Sequence, residues 1–212
     1  MIKAIIFDFD GVLVESVDIK TRALAELYKE YGKEIIDKVV AYHLKNGGVS
    51  RFEKFRYYHN VLLGKNMSEE QERGQGHRFS SLVEDMVIKC PWVTGAKEFL
   101  NKFYKKIDFH IASGTPDSEL LRIIKSRNMS HYFITINGSG RKKGEIILDV
   151  LNEYNYDSNM VYMVGDALSD YEGAMEANIS FVGRVPENQK NPFPPGIIQT
   201  AQPFIYLSSL LS

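Results

Sequence analysis

One cysteine, one tryptophan and seven prolines are all of these residue types that the 212-residue chain holds. The single cysteine, Cys90, excludes an intramolecular disulfide and fits a reducing compartment. It stands before Pro91 and Trp92, after an apolar stretch, and reads as a packing residue rather than a reactive thiol. No apolar run approaches the ~20 residues of a membrane-spanning helix. Neither sign of charge dominates. Lys and Arg number 26 against 27 Asp and Glu, a formal net charge of -1, so no global basic field attracts nucleic acid or an anionic membrane. The five histidines (His43, His59, His77, His110, His131) are scattered and show no metal-ligand spacing. The N-terminal apolar run up to Phe7 lacks the length and the small-residue cleavage site of a secretory signal, so it reads as a strand and a cytoplasmic protein is expected.

What is present is core material. A hydrophobic content of 44%, with twelve Tyr and twelve Phe, argues against disorder and suffices for one domain plus a smaller insertion. Ala4–Phe7 is a short continuous apolar run of the kind that forms a strand buried on both faces. Runs at 107–112, 132–136, 160–164 and 179–182 predict four more strands. Between them lie helical patterns at 119–125, 146–151 and 171–177, the first preceded by Thr115-Pro116-Asp117 as a cap and first-turn proline. Strands alternating with helices imply βαβ units and an open, Rossmann-like parallel α/β sheet with helices on both faces. In such sheets ligands bind outside the carboxyl ends of the strands. Chemistry is therefore expected at Asp8, Ser113, Asn137 and Asp166, which follow or end the runs.

The alternation breaks once. From about Glu15 to Trp92 there is no convincing parallel strand, only helical patterns at 19–31, 34–44, 51–63 and 68–89, the last opened by a Ser68-Glu69-Glu70-Gln71 capping box. This predicts an α-helical cap over 15–94, inserted into a core made of 1–14 and 95–212, with linkers near Val14–Asp18 and Pro91–Gly95. Four prolines between Pro186 and Pro195 predict an irregular surface loop.

Four local patterns carry chemistry. Asp8-Phe9-Asp10-Gly11 sets two acids at the end of a buried strand, where charge needs partners. A divalent cation such as Mg²⁺ suits them, because it takes carboxylate, water and phosphate oxygens. Gly165-Asp166-Ala167-Leu168-Ser169-Asp170 repeats the theme on another strand. Ser113-Gly114-Thr115 offers a hydroxyl and backbone N–H groups that suit phosphate oxygens. Arg141-Lys142-Lys143-Gly144 offers a cation near the same edge. Each pattern alone also has a plainer reading: an Asp-Gly turn, a helix N-cap, ordinary capping chemistry, a solvated basic loop. The two acid pairs are expected to meet at one edge of the sheet.

In that order the four patterns resemble the haloacid dehalogenase (HAD) superfamily. Asp8 to Ser16 is similar to its first motif, Ala112-Ser113-Gly114-Thr115 to its second, and Gly165 to Asp170 to its fourth; Lys143, in preference to Lys142, stands for the lysine of the third. The helical insertion resembles that of phosphoglycolate phosphatase and β-phosphoglucomutase. The resemblance implies a phosphatase acting on a small phosphorylated metabolite, with catalytic Asp8, Asp10 and Lys143. Asp8 would form an aspartyl phosphate, while Asp10 would work as a neutral acid and then as a base. It implies Ser113 and Gly114 on the phosphoryl oxygens, and Mg²⁺ held by Asp8, the backbone carbonyl of Asp10, and Asp166. Asp170 would stand behind these and help position Lys143.

The cap should set specificity. Asn46 to Lys54 looks like the loop that dips into the site in helical-cap relatives, which would put Arg51 and Lys54 against an anionic part of the substrate; a solvated helix–helix turn is the plainer alternative. Phe52, Phe55, Tyr58 and His59 sit at helical spacing and read as core. A dehalogenase is set aside because Asp10 is present. A sugar phosphomutase shares every core residue, and a phospho-binding or phospho-regulated protein without turnover is a further alternative. Oligomeric state is not legible.

Overall fold

The computed structural model describes residues 2–211. Its centre is a parallel six-stranded sheet, β1 Ala4–Phe7, β2 Asp108–Pro116, β3 Thr135–Ser139, β4 Val161–Gly165, β5 Ser180–Arg184 and β6 Gln199–Thr200, in the order β3-β2-β1-β4-β5-β6. β1 pairs with β2 on one side and β4 on the other, so all four of its residues are buried. Alternate side chains of β1 enter opposite layers, as strand geometry requires. Ile5 and Phe7 join a cluster with Phe99, Phe109 and Phe204; Ala4 and Ile6 join Ile146, Ile147 and Met163. Phe7 meets Phe109 edge-on at 5.3 Å between ring centroids.

Helices α5 Ala96–Phe103, α6 Asp117–Ser126 and α9 Pro203–Leu210 supply the first layer, and α7 Lys143–Tyr154 and α8 Leu168–Glu176 the second. The expected parallel α/β architecture with helices on both faces is thus observed. Sheet order turns outward from β1 in both directions, so the crevice between the carboxyl ends of β1 and β4 is a topological switch point.

Between β1 and β2 run α1 Val17–Leu27, α2 Lys33–Lys45, α3 Arg51–Tyr57 (continued by a π-helical turn, Tyr58–Leu62) and α4 Glu69–Lys89. The capping box at Ser68 forms in both directions: its Oγ accepts from Gln71 N at 3.2 Å, and Gln71 Oε1 accepts from Ser68 N at 2.9 Å. Phe55 and Tyr58 are fully buried, as the packing reading expected. The chain enters and leaves this segment side by side, through an antiparallel bridge between Val14 and Trp92 and a 2.9 Å bond from Glu15 N to Pro91 O.

Several boundaries differ from the sequence reading. β2 runs on to Pro116, so Ser113-Gly114-Thr115 lies within the strand, in a stretch where pairing with β3 loses register. Ser130–Tyr132 is a 3₁₀ turn that delays β3 to Thr135. The short β6 and helices α5 and α9 carried no strand or helix expectation. Residues 186–195 are irregular, as the prolines predicted.

Candidate active site

Asp8 is the first residue beyond β1, where the strand's apolar side chains end at the switch point. Gly11 turns the chain away with φ +76°, and a Cβ there would lie 2.1 Å from Asp166 Oδ2. The first and fourth motifs therefore approach each other only across a glycine. Carboxylate oxygens of Asp8, Asp166 and Asp170 all lie within 4.8 Å of one another.

Of the two adjacent lysines, Lys143 is the one that reaches Asp8. Its side chain is buried at the first turn of α7, with Nζ 2.9 Å from Asp8 Oδ2 and hydrogen-bonded to Asp170 Oδ1. Lys142 is exposed. The two acids outweigh burial and raise the Lys143 pKa, so its charge is fixed. Asp170 spends its second oxygen on the backbone N–H groups of Asp166 and Ala167, at 3.1 and 3.0 Å. It thereby locks the start of α8 and orients Lys143.

Asp10 is differently placed. Ser16 Oγ donates to its Oδ1 at 2.5 Å, while Thr115 Oγ1 donates to Oδ2 at 2.8 Å alongside Lys20 Nζ. Lys20 also donates to Thr115 Oγ1 at 2.8 Å. Burial pushes the Asp10 pKa up, but the charge of Lys20 and these hydrogen bonds outweigh it and hold the carboxyl below its usual range. At Asp8 burial prevails, against Lys143, and lifts the pKa to about 7. The two acids separate as expected for a close pair, but in the opposite sense to a neutral Asp10, because Lys20 stands on Asp10. Thr115 was read as part of the second motif, but neither it nor Lys20 was expected to hold Asp10. Only the position of Lys20 about one helical turn after Ser16 marked it, and that spacing is common.

Asp166 has no hydrogen-bond or ion-pair partner for its carboxylate among the described residues, and burial with the neighbouring Asp8 and Asp170 raises its pKa well above the usual value. Four carboxylates (Asp8, Asp10, Asp166, Asp170) thus outnumber the ammonium groups of the site (Lys20, Lys143 and, lining the same cavity, Lys54), an excess of acid groups. An oxygen donor set with that excess fits a hard divalent cation.

Ser113 is buried beside this cluster, its Oγ accepting from Thr115 N at 3.2 Å. Gly114 lines a cavity of about 460 Å³ together with Asp8, Asp10, Asp166, Lys20 and Lys54. The loop before α3 closes over it: a Cβ on Gly114 would lie 2.5 Å from the Gly48 carbonyl oxygen, and Ser169 Oγ donates to Gly47 O at 3.0 Å. Of the two cations expected there, Lys54 lines the cavity as a buried side chain. Arg51 also borders it, but its guanidinium is taken up by Glu119 of α6 (2.6 and 2.8 Å) and by Ser80 Oγ (2.8 Å). The structure therefore does not offer Arg51 as a free cation for substrate.

A parallel α/β sheet whose carboxyl edge gathers acids from two strands and a buried lysine from a helix suits chemistry on a phosphoryl group. The chain belongs to the haloacid dehalogenase-like hydrolase family, whose model matches residues 5–184, and it is an enzyme of that family. It is 27% identical over 182 residues to a phosphorylated carbohydrates phosphatase of Thermotoga maritima, covering 84% of this chain and 82% of that protein. Among solved structures it is similar to a predicted phosphoglycolate phosphatase of Haemophilus somnus (TM-score 0.76, 16% identity, 100% of this chain and 98% of that one). It is likewise similar to a protein of Thermotoga maritima assigned as a β-phosphoglucomutase (TM-score 0.70, 20% identity, 99% and 100%). No helix among the described residues is long and apolar enough to cross a membrane.

Proposed function

We propose that this protein is a Mg²⁺-dependent cytoplasmic phosphatase of a small phosphorylated carbohydrate, with residues 15–94 acting as a helical cap on a core formed by 1–14 and 95–212. The observation that carries the proposal is the charge arrangement around Asp8: Lys143 on one oxygen, the unpartnered Asp166 nearby, and Asp10 on the cavity side.

Asp8 attacks phosphorus, forming a P–O bond to its carboxylate as the ester P–O bond breaks. Asp10 delivers a proton to the leaving oxygen, and the charge of an arriving phosphate raises its pKa toward that task. Water then attacks phosphorus, gives its proton back to Asp10, and the Asp8–phosphorus link breaks to release phosphate. Ser113 and Gly114 hold the phosphoryl oxygens and Lys143 balances their charge. Mg²⁺ would be held by Asp8, the Asp10 carbonyl and Asp166, and supplies charge neutralisation for the phosphoryl group and Asp8. Asp170 serves to position Lys143 and the backbone of Asp166.

The test is phosphate release from p-nitrophenyl phosphate and a panel of sugar phosphates, with Mg²⁺ and with EDTA. Metal-dependent release that is lost in Asp8→Asn is expected. Interconversion of sugar phosphates without phosphate release would replace the proposal with a mutase, and release that survives Asp8→Asn would overturn the scheme.

A further inference from the structure

The cavity beside Asp8 carries more cationic side chains than a single phosphate requires. Lys20 holds Asp10, Arg51 holds Glu119, and Arg184 holds Glu15. Lys190 is exposed on the proline-rich loop. Lys54 alone among the cations lining the cavity is buried (5% exposed) and pairs with no carboxylate of the described residues. Its hydrogen-bond partner is an imidazole, His43 Nδ1, at 3.2 Å.

Burying an ammonium without a counter-ion is costly, and folding alone gives no reason for it: an apolar residue would fill the site better. His43 does not relieve the cost. It is buried too, and burial together with the charge of Lys54 keeps it neutral, so it accepts from Lys54 and brings no negative charge. The cavity walls include Leu24, Val49 and Phe79; burial and the charge of Lys20 pull the Lys54 pKa down to about 7, and Asp10 and Asp166 offset this only in part. An anion arriving with the ligand would supply the contact partner that Lys54 lacks and hold it charged. One positive charge with a neutral imidazole matches a monoanion better than a second phosphate dianion, and a buried ammonium favours a compact oxygen anion such as a carboxylate.

We propose that Lys54, oriented by His43, binds a carboxylate of the substrate, so that the preferred substrates are phosphorylated sugar acids or shorter phosphorylated hydroxy acids. This rests on the phosphatase reading and narrows its substrate class. The cavity, about 460 Å³, lies within the range of about 300–1,000 Å³ common for small-molecule sites. Phosphate at Asp8 and carboxylate at Lys54 would hold the molecule at two points, leaving its hydroxyls to the cavity walls.

The experiment compares matched pairs that differ only in an acid against an alcohol: phosphoglycolate with 2-hydroxyethyl phosphate, 3-phosphoglycerate with glycerol phosphate, and 6-phosphogluconate with glucitol 6-phosphate. In the wild-type protein kcat/KM favours the acid of at least one pair by about 10–100-fold, the scale of a charge-assisted hydrogen bond in a buried site. In Lys54→Gln and Lys54→Met that ratio collapses toward one, mainly through KM. A wild-type ratio near one in every pair, or a ratio that survives both substitutions, overturns the proposal while leaving the phosphatase reading intact. If no ester is hydrolysed, the same pairs are titrated calorimetrically. Tighter binding of the acids that depends on Lys54 then supports the carboxylate site although the phosphatase reading has failed, and equal binding of acid and alcohol removes both.

Discussion

Arg51 and Glu119 form a two-point ion pair, Nη2 to Oε1 at 2.6 Å and Nη1 to Oε2 at 2.8 Å, with both side chains buried. Arg51 opens α3 in the segment inserted after β1, whereas Glu119 lies in the first turn of α6, directly after β2. The pair ties that segment to the sheet's own helical layer, and the Arg51 guanidinium lies 4.7 Å over the Phe79 ring.

Breaking this pair should be expensive, because removing one partner strands a buried charge. Glu119→Gln is expected to lower stability by about 3–5 kcal/mol in urea or guanidinium unfolding. Arg51→Lys should not restore a wild-type value, since an ammonium lacks the flat fork that meets both carboxylate oxygens. Wild-type unfolding midpoints in both variants would contradict this account.

Asp8 gives a signed pH effect. With its folded pKa raised from 3.8 to about 7, the folded protein binds the Asp8 proton more tightly than the unfolded chain does. That contribution is complete below about pH 4 and is lost as pH climbs to about 7, at about 1.4 kcal/mol per unit. Depressed His43 and His110 tilt stability the other way, losing it as pH falls below 6.5. The Tm difference between Asp8→Asn and wild type, measured in EDTA from pH 5 to 8, isolates the Asp8 part and should move in favour of the variant as pH rises. Adding Mg²⁺ should raise the wild-type Tm more at pH 8 than at pH 5.

The adjacent lysines should separate cleanly in kinetics. Lys143→Met leaves Asp8 and Asp170 without their shared ammonium and is expected to reduce kcat by about 10²–10³-fold, the scale of losing one group that stabilises charge in the transition state. Lys142→Met, on an exposed side chain, should stay within about twofold of wild type. Equal losses in the two variants would remove Lys143 from the site.

Lys20 should tune Asp10. Its charge is the main influence holding that carboxyl down against burial, so Lys20→Met lets the pKa rise. The limb of the kcat pH profile that reports Asp10 should then move to higher pH. A profile displaced to lower pH, or not displaced, would show that Lys20 does not set the Asp10 charge.

The parts of this molecule that were legible from sequence are those written locally. Ala4–Phe7 is apolar throughout because it is buried on both faces, and Asp8 announces where burial ends. The helices after β1 follow from periodicity, and the Ser68 cap from four adjacent residues. Lys143 was expected in preference to Lys142, and it opens α7 while Lys142 is the extended residue before it. What escaped depends on distance along the chain. Lys20 meets Thr115 across 95 positions, and Arg51 meets Glu119 across 68; no local pattern encodes either meeting. Arg51 was expected to meet substrate, and in the structure Glu119, folded in from a distant helix, holds its guanidinium. Helix α5 was missed despite Phe99, Leu100 and Phe103 at helical spacing, and α9 because it is apolar with no clear polar face.

The bridge between Val14 and Trp92 has a topological meaning. Residues paired in an antiparallel bridge have Cα atoms about 4.5–5.5 Å apart, a gap that a two-residue turn closes. The chain therefore leaves for α1 and returns from α4 at neighbouring points, much as a hairpin loop leaves and rejoins its last pair. That segment can be lengthened or shortened without rethreading the strands that lead to Asp8 and Asp166.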